Sequence, residues 1–492
     1  MKKLTYAIIA LLSFLCVPLC AQTVGKKPTV VIVPFEAKSS GIGQDDCDIV
    51  TESFESEYAR TGSALVVNRS NLEKIQKEQA FQNSDWSNND KTAKLGEALN
   101  AQQLLFGSLR MYNGALFVTV QIQDITTLAV LASVSVRVKD TMELLDKIPE
   151  IGKNLAAEAD SFVSQASRKK SSIVIMPFES KSDGIGQEDC DIISEMMESK
   201  YVQTGVVTVL NRGTLKKIQA EQAFQNSDWS DSNKTAKLGE ALNAQHIVNG
   251  KLRSYNGVLF VTVQVQDIRT LAVLASVNMR VANVEELLNK TSGICENLCI
   301  QTYSEWKIGD KGPGGGYVFY CSLKGFPVYD GGKELICHYL ECSPVELGSI
   351  PWCSCSFSPF RKNEKSYKYC YVSTDKGIGT GKKNTINIIA ANHPRAPVGI
   401  SSCAAKACAN YSTEKTKAGE WYLPSKDELN LIYVNLVKTG IIKSDKWHWS
   451  SSQYSNMHAW GQRFIDGKWE DCFKSSDGYT FSDSRVRAVR AF

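Results

Sequence analysis

The sequence has few of the patterns that mark metal-binding, nucleic-acid-binding and catalytic proteins. Over 492 residues the formal net charge is only +4, so no basic excess argues for a nucleic-acid partner. The five histidines form no HxxxH pair, and no two cysteines have the CxxC spacing of a zinc site. We therefore expect no metal, no cofactor and no nucleic acid.

Two glycine-rich stretches resemble phosphate-binding loops but lack residues that such loops need. "GIGQDD", which begins at Gly41, has Asp46 where a dinucleotide-binding loop has its third glycine, and its acidic residues would repel a pyrophosphate. "KGIGTGKK" has Lys376 and Lys383 where a phosphate loop needs Gly and Ser or Thr. We interpret the first stretch as a turn with an acidic helix start, and we predict no catalytic residue in either.

Beyond the N-terminus, no stretch reaches the roughly 18 consecutive apolar residues of a membrane-spanning helix. The N-terminus has Lys2 and Lys3, then an apolar run to Leu19 and a small residue, Ala21. This order predicts a secretory signal over residues 1–21, with no transmembrane segment after cleavage. Cys20 offers lipidation as an alternative, although Leu19 is a poor residue before a lipidated cysteine. We expect the mature chain in the periplasm, at the outer membrane or at the cell surface.

The fifteen cysteines are unevenly distributed, and eleven of them lie from Cys295 onward. In an exported chain such a cluster favours disulfides over cytosolic thiols. Because eleven is odd, at least one would stay unpaired or bond elsewhere. Zinc ligation is the alternative, but Cys353/Cys355 and Cys403/Cys408 lack its spacing.

The first part of the chain is a duplication. Val31–Val138 aligns without gaps to Val174–Val281, an offset of 143 residues. Each copy alternates strand and helix, then continues with three strands and a closing amphipathic helix. The pattern predicts two tandem α/β sandwich modules with mixed sheets, over residues 29–168 and 169–303.

Both copies contain the ten letters "EQAFQNSDWS". Phe81 and Trp86, with their counterparts Phe224 and Trp229, are candidate partner-binding residues because exposed aromatic side chains anchor interfaces. The alternative is that these rings fill the gap between two helices. The stretch carries one carboxylate and no histidine, so it has no local acid–base pair.

The motifs "VVIVPFE", "NR", "EQAFQ", "LGEALNAQ", "FGSL" and "QDITT" follow one another in an order that resembles the CsgG/LpoB-like envelope family. This family includes the curli secretion component, activator lipoproteins of penicillin-binding proteins and relatives of the TolB N-terminal domain. The resemblance implies a non-enzymatic module that binds envelope protein partners or self-associates. The extra hairpins of the curli channel are missing, which favours a soluble periplasmic module over an outer-membrane secretion or assembly component.

Residues 304–492 are rich in glycine, tryptophan and cysteine. Their one clear helix begins after Ser425, with Glu428 three residues later as a capping box. "GPGGGYVFY", "GTGKKNT", "WYLPSKDEL", "WSSS" and "RVRAVRAF" resemble, in this order, the Lcl C-terminal and major paralogous domain families. The resemblance implies an α+β, C-type-lectin-like fold that serves binding or adhesion. The calcium–sugar signatures EPN and WND are absent, so no calcium site is expected.

Tryptophans of this domain could stack on sugar rings, with amides and a carboxylate as polar partners. The alternative is that they fill the core of a loop-rich domain. The candidate ligand-binding residues are Trp447, Trp449, Trp460, Trp469, Asn456 and Gln462, with Asp466 as a further polar partner.

Together these patterns predict an exported, non-enzymatic cell-envelope protein. Its tandem modules bind envelope partners or self-associate, and its C-terminal domain binds a glycan, peptidoglycan or a protein. An outer-membrane secretion component is the first alternative. A copper- or calcium-dependent oxidase with a lectin-like fold is the second, but it needs a cysteine pair near the C-terminus, where Cys472 stands alone.

Overall fold

The computed structural model describes residues 27–67, 101–164, 170–180, 182, 184–211, 244–352, 372–391, 403–474 and 484–492. The chain separates into two units. The first consists of Met1–Lys169 and Leu210–Phe224, and the second of Lys170–Val209 and Gln225–Phe492.

The first unit is built on a mixed sheet, as the strand–helix alternation predicts. Its strands are β1 (Thr29–Ile32), β2 (Glu36–Ala37), β3 (Leu65–Val66), β4 (Gln103–Tyr112), β5 (Ala115–Asp124) and β6 (Ala129–Val138). Their order in the sheet is β6-β5-β4-β1-β3, with β1 parallel to both β3 and β4 and with antiparallel pairs β4–β5 and β5–β6. The short strand β2 adds to β4.

Two helices, α1 (Gln44–Thr61) and α2 (Thr141–Ser164), cover one face of this sheet. Val50 and Phe54 of α1 are fully buried and lie one helical turn apart, so a single stripe of the helix meets the sheet. Leu144 and Ile151 of α2 join the same core. The helices therefore owe their place to amphipathic packing.

The second unit begins with the same architecture. Its described elements are β7 (Ser172–Ile175), β8 (Glu179–Ser180), α3 (Gln187–Thr204), β9 (Thr208–Leu210), β10 (His246–Tyr255), β11 (Val258–Asp267), β12 (Val273–Val281) and α4 (Val284–Tyr303). The strands form a mixed sheet of order β12-β11-β10-β7-β9, with β8 added to β10. The helices α3 and α4 pack against each other.

The same unit continues with the elements β13 (Tyr317–Asp330), β14 (Lys333–Cys342), α5 (Gly381–Ala391), α6 (Ala404–Asn410), α7 (Lys426–Ile432), β15 (Trp447–Gln453), β16 (His458–Arg463), β17 (Trp469–Phe473) and β18 (Val489–Ala491). Its strands form two three-stranded antiparallel sheets, β13-β14-β18 and β15-β16-β17. A π-helical turn, Tyr433–Val437, follows α7. The chain is thus mixed α/β with smaller antiparallel sheets, and the lectin-like assignment of residues 304–492 stays a prediction.

The capping box at the start of α7 is confirmed. The backbone N–H of Glu428 donates to Ser425 Oγ at 3.3 Å, and the Ser425 N–H donates to Glu428 Oε2 at 2.7 Å. No helix in the described ranges combines the length and the apolar character that crossing a membrane requires.

The predicted disulfide framework is not formed among the described cysteines. Their thiols are buried or half-buried in the packed interior, where they act as small apolar groups. Burial raises the pKa of Cys342 and of Cys472 to about 12, which keeps both thiols protonated. Cys16, Cys20, Cys353, Cys355 and Cys370 lie outside the described residues. The free thiols are those of Cys47, Cys190, Cys295, Cys299, Cys321, Cys337, Cys342, Cys408 and Cys472.

Each module places a phenylalanine ring directly on a strand glycine. A Cβ added at Gly107 would lie 2.1 Å from Cε1 of Phe35, and one at Gly250 would lie 2.1 Å from Cε1 of Phe178. The Phe in the "PFE" motif therefore fits only against a residue without a side chain. This contact fixes the segment after the first strand of each module.

We expect Gly250→Ala to destabilise the second module by roughly 1–3 kcal/mol, because the ring of Phe178 must move. Denaturant unfolding followed by circular dichroism measures the loss. Gly293→Ala in α4 is the matched control: its Cβ meets nothing within 4 Å, so the better helix former should be neutral or slightly stabilising. Equal behaviour of the two variants would contradict the packing argument.

Candidate functional site

The tryptophans predicted to bind ligand lie on the sheet β15-β16-β17, but on its two opposite faces. Trp449 is paired with Gly461 in register, whereas Trp469 is paired with Gln462. Because neighbouring residues of a strand point to opposite faces, Trp447 and Trp449 share one face, and Trp460 and Trp469 share the other. The structure therefore divides the predicted group into two pairs.

Two of the predicted ligand-binding residues belong to the interior. Trp449 is only 2% exposed and donates from Nε1 to the Ile350 carbonyl at 3.0 Å. Gln462 is fully buried and donates from Nε2 to Asn430 Oδ1 at 2.9 Å. For these two residues the contacts agree with the core-filling alternative.

The remaining predicted residues are more accessible. Trp447 is half-buried, with the Arg463 guanidinium 5.6 Å from its ring centroid. Asn456 is exposed, and its carbonyl accepts from Lys474 Nζ at 3.3 Å. Asp466 forms an ion pair with Arg463. Phe81, Trp86, Phe224 and Trp229 lie outside the described residues, so their role stays a prediction.

The second tryptophan pair forms a surface with a tyrosine and two lysines. Trp460 makes edge-to-face contacts with Trp469 and Tyr454, with ring centroids 6.3 and 4.9 Å apart. Lys426 Nζ lies 3.4 Å from the centroid of Trp460 and 4.9 Å from that of Trp469. Lys376 Nζ lies 5.8 Å from the Trp460 centroid. We call these five residues the lysine–tryptophan surface.

Buried serines bring the two lysines together. Ser452 Oγ accepts from the backbone N–H of Lys426 at 3.0 Å and donates to the Asp375 carbonyl at 2.8 Å. Ser425 Oγ donates to the Gly377 carbonyl at 2.8 Å. The "WSSS" segment thus joins the start of α7 to the loop before α5. Sequence reasoning missed both lysines, because nothing local in the sequence indicates this long-range contact.

The two ammonium groups of this surface repel each other. The pKa of Lys426 is lowered, first by burial and then by the charge of Lys376, while Asp427 acts in the opposite direction. Asp375 is 3.9 Å from Lys383, a different lysine. Among the described residues, no carboxylate lies within salt-bridge distance of Lys376 or Lys426. Cation–π contact with indole rings is their main compensation.

The loop "GIGTG" closes around a buried glutamate, not around a phosphate. The N–H of Gly379 donates to Glu428 Oε1 at 2.8 Å, and a Cβ at Gly381 would lie 2.3 Å from Oε2. Burial raises the pKa of Glu428 to about 7, against the opposing effect of its backbone and Ser425 donors. The prediction of no phosphate loop agrees with this geometry.

The "GPGGG" turn holds a second carboxylate in the same way. The N–H groups of Gly314 and Gly316 donate to the two oxygens of Glu341, both at 2.9 Å. Arg490 Nη1 lies 2.5 Å from Glu341 Oε1 and completes the pair. The "GIGTG" and "GPGGG" motifs therefore both have a structural role, since their backbone N–H groups bind internal glutamates.

A buried histidine is also tied into the domain. His448 is fully buried and stacks on Phe464, with centroids 3.9 Å apart. Its Nε2 lies 2.9 Å from Glu346 Oε1, and Arg487 Nη2 lies 3.3 Å from the same oxygen. The hydrogen bond with His448 is the largest effect lowering the pKa of Glu346 to about 2, and burial lowers that of His448.

The outer face of the second module carries an Arg–Phe–Arg row. Phe260 of β11 is paired in register with Arg253 of β10 and Arg280 of β12, and the Arg280 guanidinium lies 5.1 Å from its ring centroid. Lys251 and Tyr255 are exposed on the same face. An open depression of about 510 Å³ is lined by Lys251, Leu252, Arg253, Tyr255, Phe260 and Thr262.

The same positions differ in the first module. Arg110 and Phe117, the counterparts of Arg253 and Phe260, are only 7% and 8% exposed. Ser108 stands where the second module has Lys251. The duplicated face is thus covered in one copy and open, with an added positive charge, in the other.

No group of three or more His, Cys, Asp or Glu side chains in the described ranges is arranged to hold a metal ion. The buried carboxylates and the buried histidine named above are instead hydrogen-bonded within the fold.

No family model matches the sequence. No curated protein matches it either.

Several solved structures are similar to part of the chain. The LpoB C-terminal domain from Salmonella enterica is 17% identical over 24% of this chain and 88% of that one, with a TM-score of 0.21. Lipoprotein GNA1162 from Neisseria meningitidis is 12% identical over 27% and 99%, with a TM-score of 0.22. TolB from Acinetobacter baumannii is 16% identical over 31% and 33%, with a TM-score of 0.19. LpoB and TolB are also named in the resemblance noted for the tandem modules, but these low scores carry no argument about function.

The raised pKa of Glu428 predicts a pH-dependent stability. Its pKa of about 7 when folded exceeds the ordinary value, so the protonated carboxyl stabilises the domain at low pH. This contribution, about 3 kcal/mol, is lost as the pH rises towards 7 and above. Denaturant unfolding at pH 5 and pH 8, followed by tryptophan fluorescence, should show the loss in the wild type and not in Glu428→Gln.

Burial lowers the pKa of His448, so this residue makes the free energy of unfolding rise with pH, which is opposite to the effect of Glu428. The variants must therefore be compared with the wild type at each pH. Exposed Glu414 supplies the control: Glu414→Gln should keep the wild-type pH profile. Parallel profiles for wild type and Glu428→Gln would contradict the assignment.

Proposed function

We propose that this chain is an exported, non-enzymatic cell-envelope protein whose C-terminal domain binds a glycan. Its N-terminal pattern of charge, apolar run and small residue supports export. The motif order of the tandem modules, which resembles envelope partner-binding modules, supports the location. Among the structures similar to part of the chain are LpoB and a lipoprotein, which are consistent with this proposal without carrying it.

The observation that carries the binding role is the grouping of Tyr454, Trp460 and Trp469 on one face of a small sheet. Tyr454 is 55% exposed, and the two tryptophans are half-buried beside it. Adjacent aromatic rings at a surface offer flat apolar area together with polar tips, the combination that suits sugar rings. We assign ligand binding to this face of the domain.

The absence of catalysis is part of the proposal. The cysteine thiols considered above have raised pKa values, which opposes nucleophilic chemistry. Glu341 and Glu428 are fully buried and hold glycine turns in place. His448 is enclosed against Phe464. These groups are engaged in the fold rather than directed at a substrate.

For the tandem modules we propose binding to an acidic protein partner or self-association, through the open outer face of the second module. Lys251, Arg253 and Arg280 surround Phe260 there, and among the described residues none of the three cations has an acidic partner. Aromatic and arginine side chains are the usual anchors of protein interfaces. An outer-membrane secretion component built from associated copies remains the alternative.

Removing either aromatic side chain should weaken ligand binding. We expect Tyr454→Ala and Trp460→Ala each to weaken binding of the mature chain at least roughly tenfold, since stacking area is lost. Binding is measured by pull-down with purified peptidoglycan and by calorimetry with soluble polysaccharides. Tyr255→Ala, which removes an exposed tyrosine from the second module, is the control and should bind normally. Failure of the wild type to bind any polymer would refute the glycan role.

Charge reversal should test the second-module face. If copies associate through this face, Lys251→Glu combined with Arg253→Glu should weaken self-association at least roughly tenfold. The reversed charge would repel the acidic surface of the other copy that the face binds. Sedimentation velocity over a range of concentrations provides the measurement. Arg269→Glu changes an exposed residue of the β11–β12 turn and should have no effect. A wild-type chain that stays monomeric throughout would exclude self-association and leave a different protein as the partner.

A further inference from the structure

We infer that the lysine–tryptophan surface recognises a sugar unit that carries a carboxylate, with Lys376 and Lys426 as the residues that select the charge. This inference rests on the proposed glycan-binding role and adds the chemical class of the ligand.

The electrostatics of the lysine pair favour an anionic ligand. Lys376 and Lys426 lie over the same indole, with Nζ atoms 5.8 and 3.4 Å from the Trp460 centroid. Within the part of the chain that the structure describes, neither ammonium has a carboxylate at salt-bridge distance. The charge of Lys376 disfavours the ionised form of Lys426. A bound anion would remove this penalty, whereas a neutral ligand would leave it in place.

The positive charge lies directly over aromatic rings, which favours a ligand that has both a negative group and an apolar face. Lys426 contacts Trp460 and Trp469 together, with its Nζ 4.9 Å from the Trp469 centroid. An anion drawn to Lys426 is therefore held beside exposed aromatic area, including Tyr454. The ligand must then combine a negative group with a flat apolar face within one small unit. A carboxylated pyranose has both on adjacent atoms.

Hydrogen bonds fix the backbones of both lysines. The N–H of Lys426 is fixed to Ser452 Oγ at 3.0 Å, and the Lys376 carbonyl accepts from the Asp427 N–H at 3.0 Å. Both anchors lie at the start of α7, and Ser452 is buried, so the backbones of the two lysines are held in place. Less entropy is lost on binding an anion when the backbones of both lysines are already fixed.

The test uses the full mature chain and a polymer pair that differs only in charge. Polygalacturonate should bind at least roughly tenfold more tightly than its methyl-esterified form, and this difference should shrink with added salt. Lys376→Gln combined with Lys426→Gln should remove the difference between the two polymers. Lys443→Gln, an exposed lysine elsewhere in the domain, is the matched control and should behave as wild type.

A second measurement does not depend on affinity. Titration of the lysine ammonium signals by NMR should show the pKa of Lys426 rising when polygalacturonate is added, because an anion favours the charged form. A pKa that stays constant while the polymer binds would place the ligand elsewhere and overturn the inference.

The outcomes separate the two proposals. Equal binding of the charged and esterified polymers, weakened by Tyr454→Ala, would refute the role of the lysines and leave the glycan function standing. No binding of any polysaccharide would refute both. Poly-glutamate that binds as tightly as polygalacturonate, with the same dependence on Lys376 and Lys426, would show that the surface reads acidic peptides and would overturn the sugar assignment.

Discussion

The buried carboxylate of Glu428 is the contact on which the C-terminal part of the chain depends. It accepts from the N–H groups of Gly379 and Ser425, and so joins the loop before α5 to the start of α7. The glycine at position 381 is required because a side chain there would meet the carboxylate. Lys376 and Lys426 flank these two segments. The surface that we assign to ligand binding is therefore positioned by an internal carboxyl group that never meets the ligand.

The tandem modules show which parts of a duplicated fold are constrained. Phe35 on Gly107 and Phe178 on Gly250 repeat the same tight contact, since any change at either position is costly. The outer faces have no such constraint. Ser108 corresponds to Lys251, and the nearly buried Phe117 corresponds to a more accessible Phe260. The two copies therefore share one interior contact, whereas the basic residues of this face are exposed in the second copy.

Features set by neighbouring residues could be predicted from the sequence, and features set by long-range packing could not. The capping box of Ser425 and Glu428 and the mixed sheets of the modules follow from local patterns. The tryptophans could not be sorted, because burial depends on which face of β15-β16-β17 meets the core. The lysines of the surface were missed, since buried serines bring them together across the sequence. The disulfide prediction failed for the described cysteines because a count of cysteines does not reveal which thiols fill the apolar interior.

The sheltered thiols have a consequence for how the chain must mature. In an oxidising compartment, an unfolded chain with many cysteines can form wrong disulfides, whereas a folded one with thiols such as Cys295 and Cys472 fully enclosed cannot. If the chain is exported as we propose, the vulnerable period is the interval between export and closure of the cores. Fast folding, rather than enzymatic disulfide pairing, is what would protect this molecule, and a mutation that slows folding would reveal itself as cross-linked aggregates before any loss of native stability.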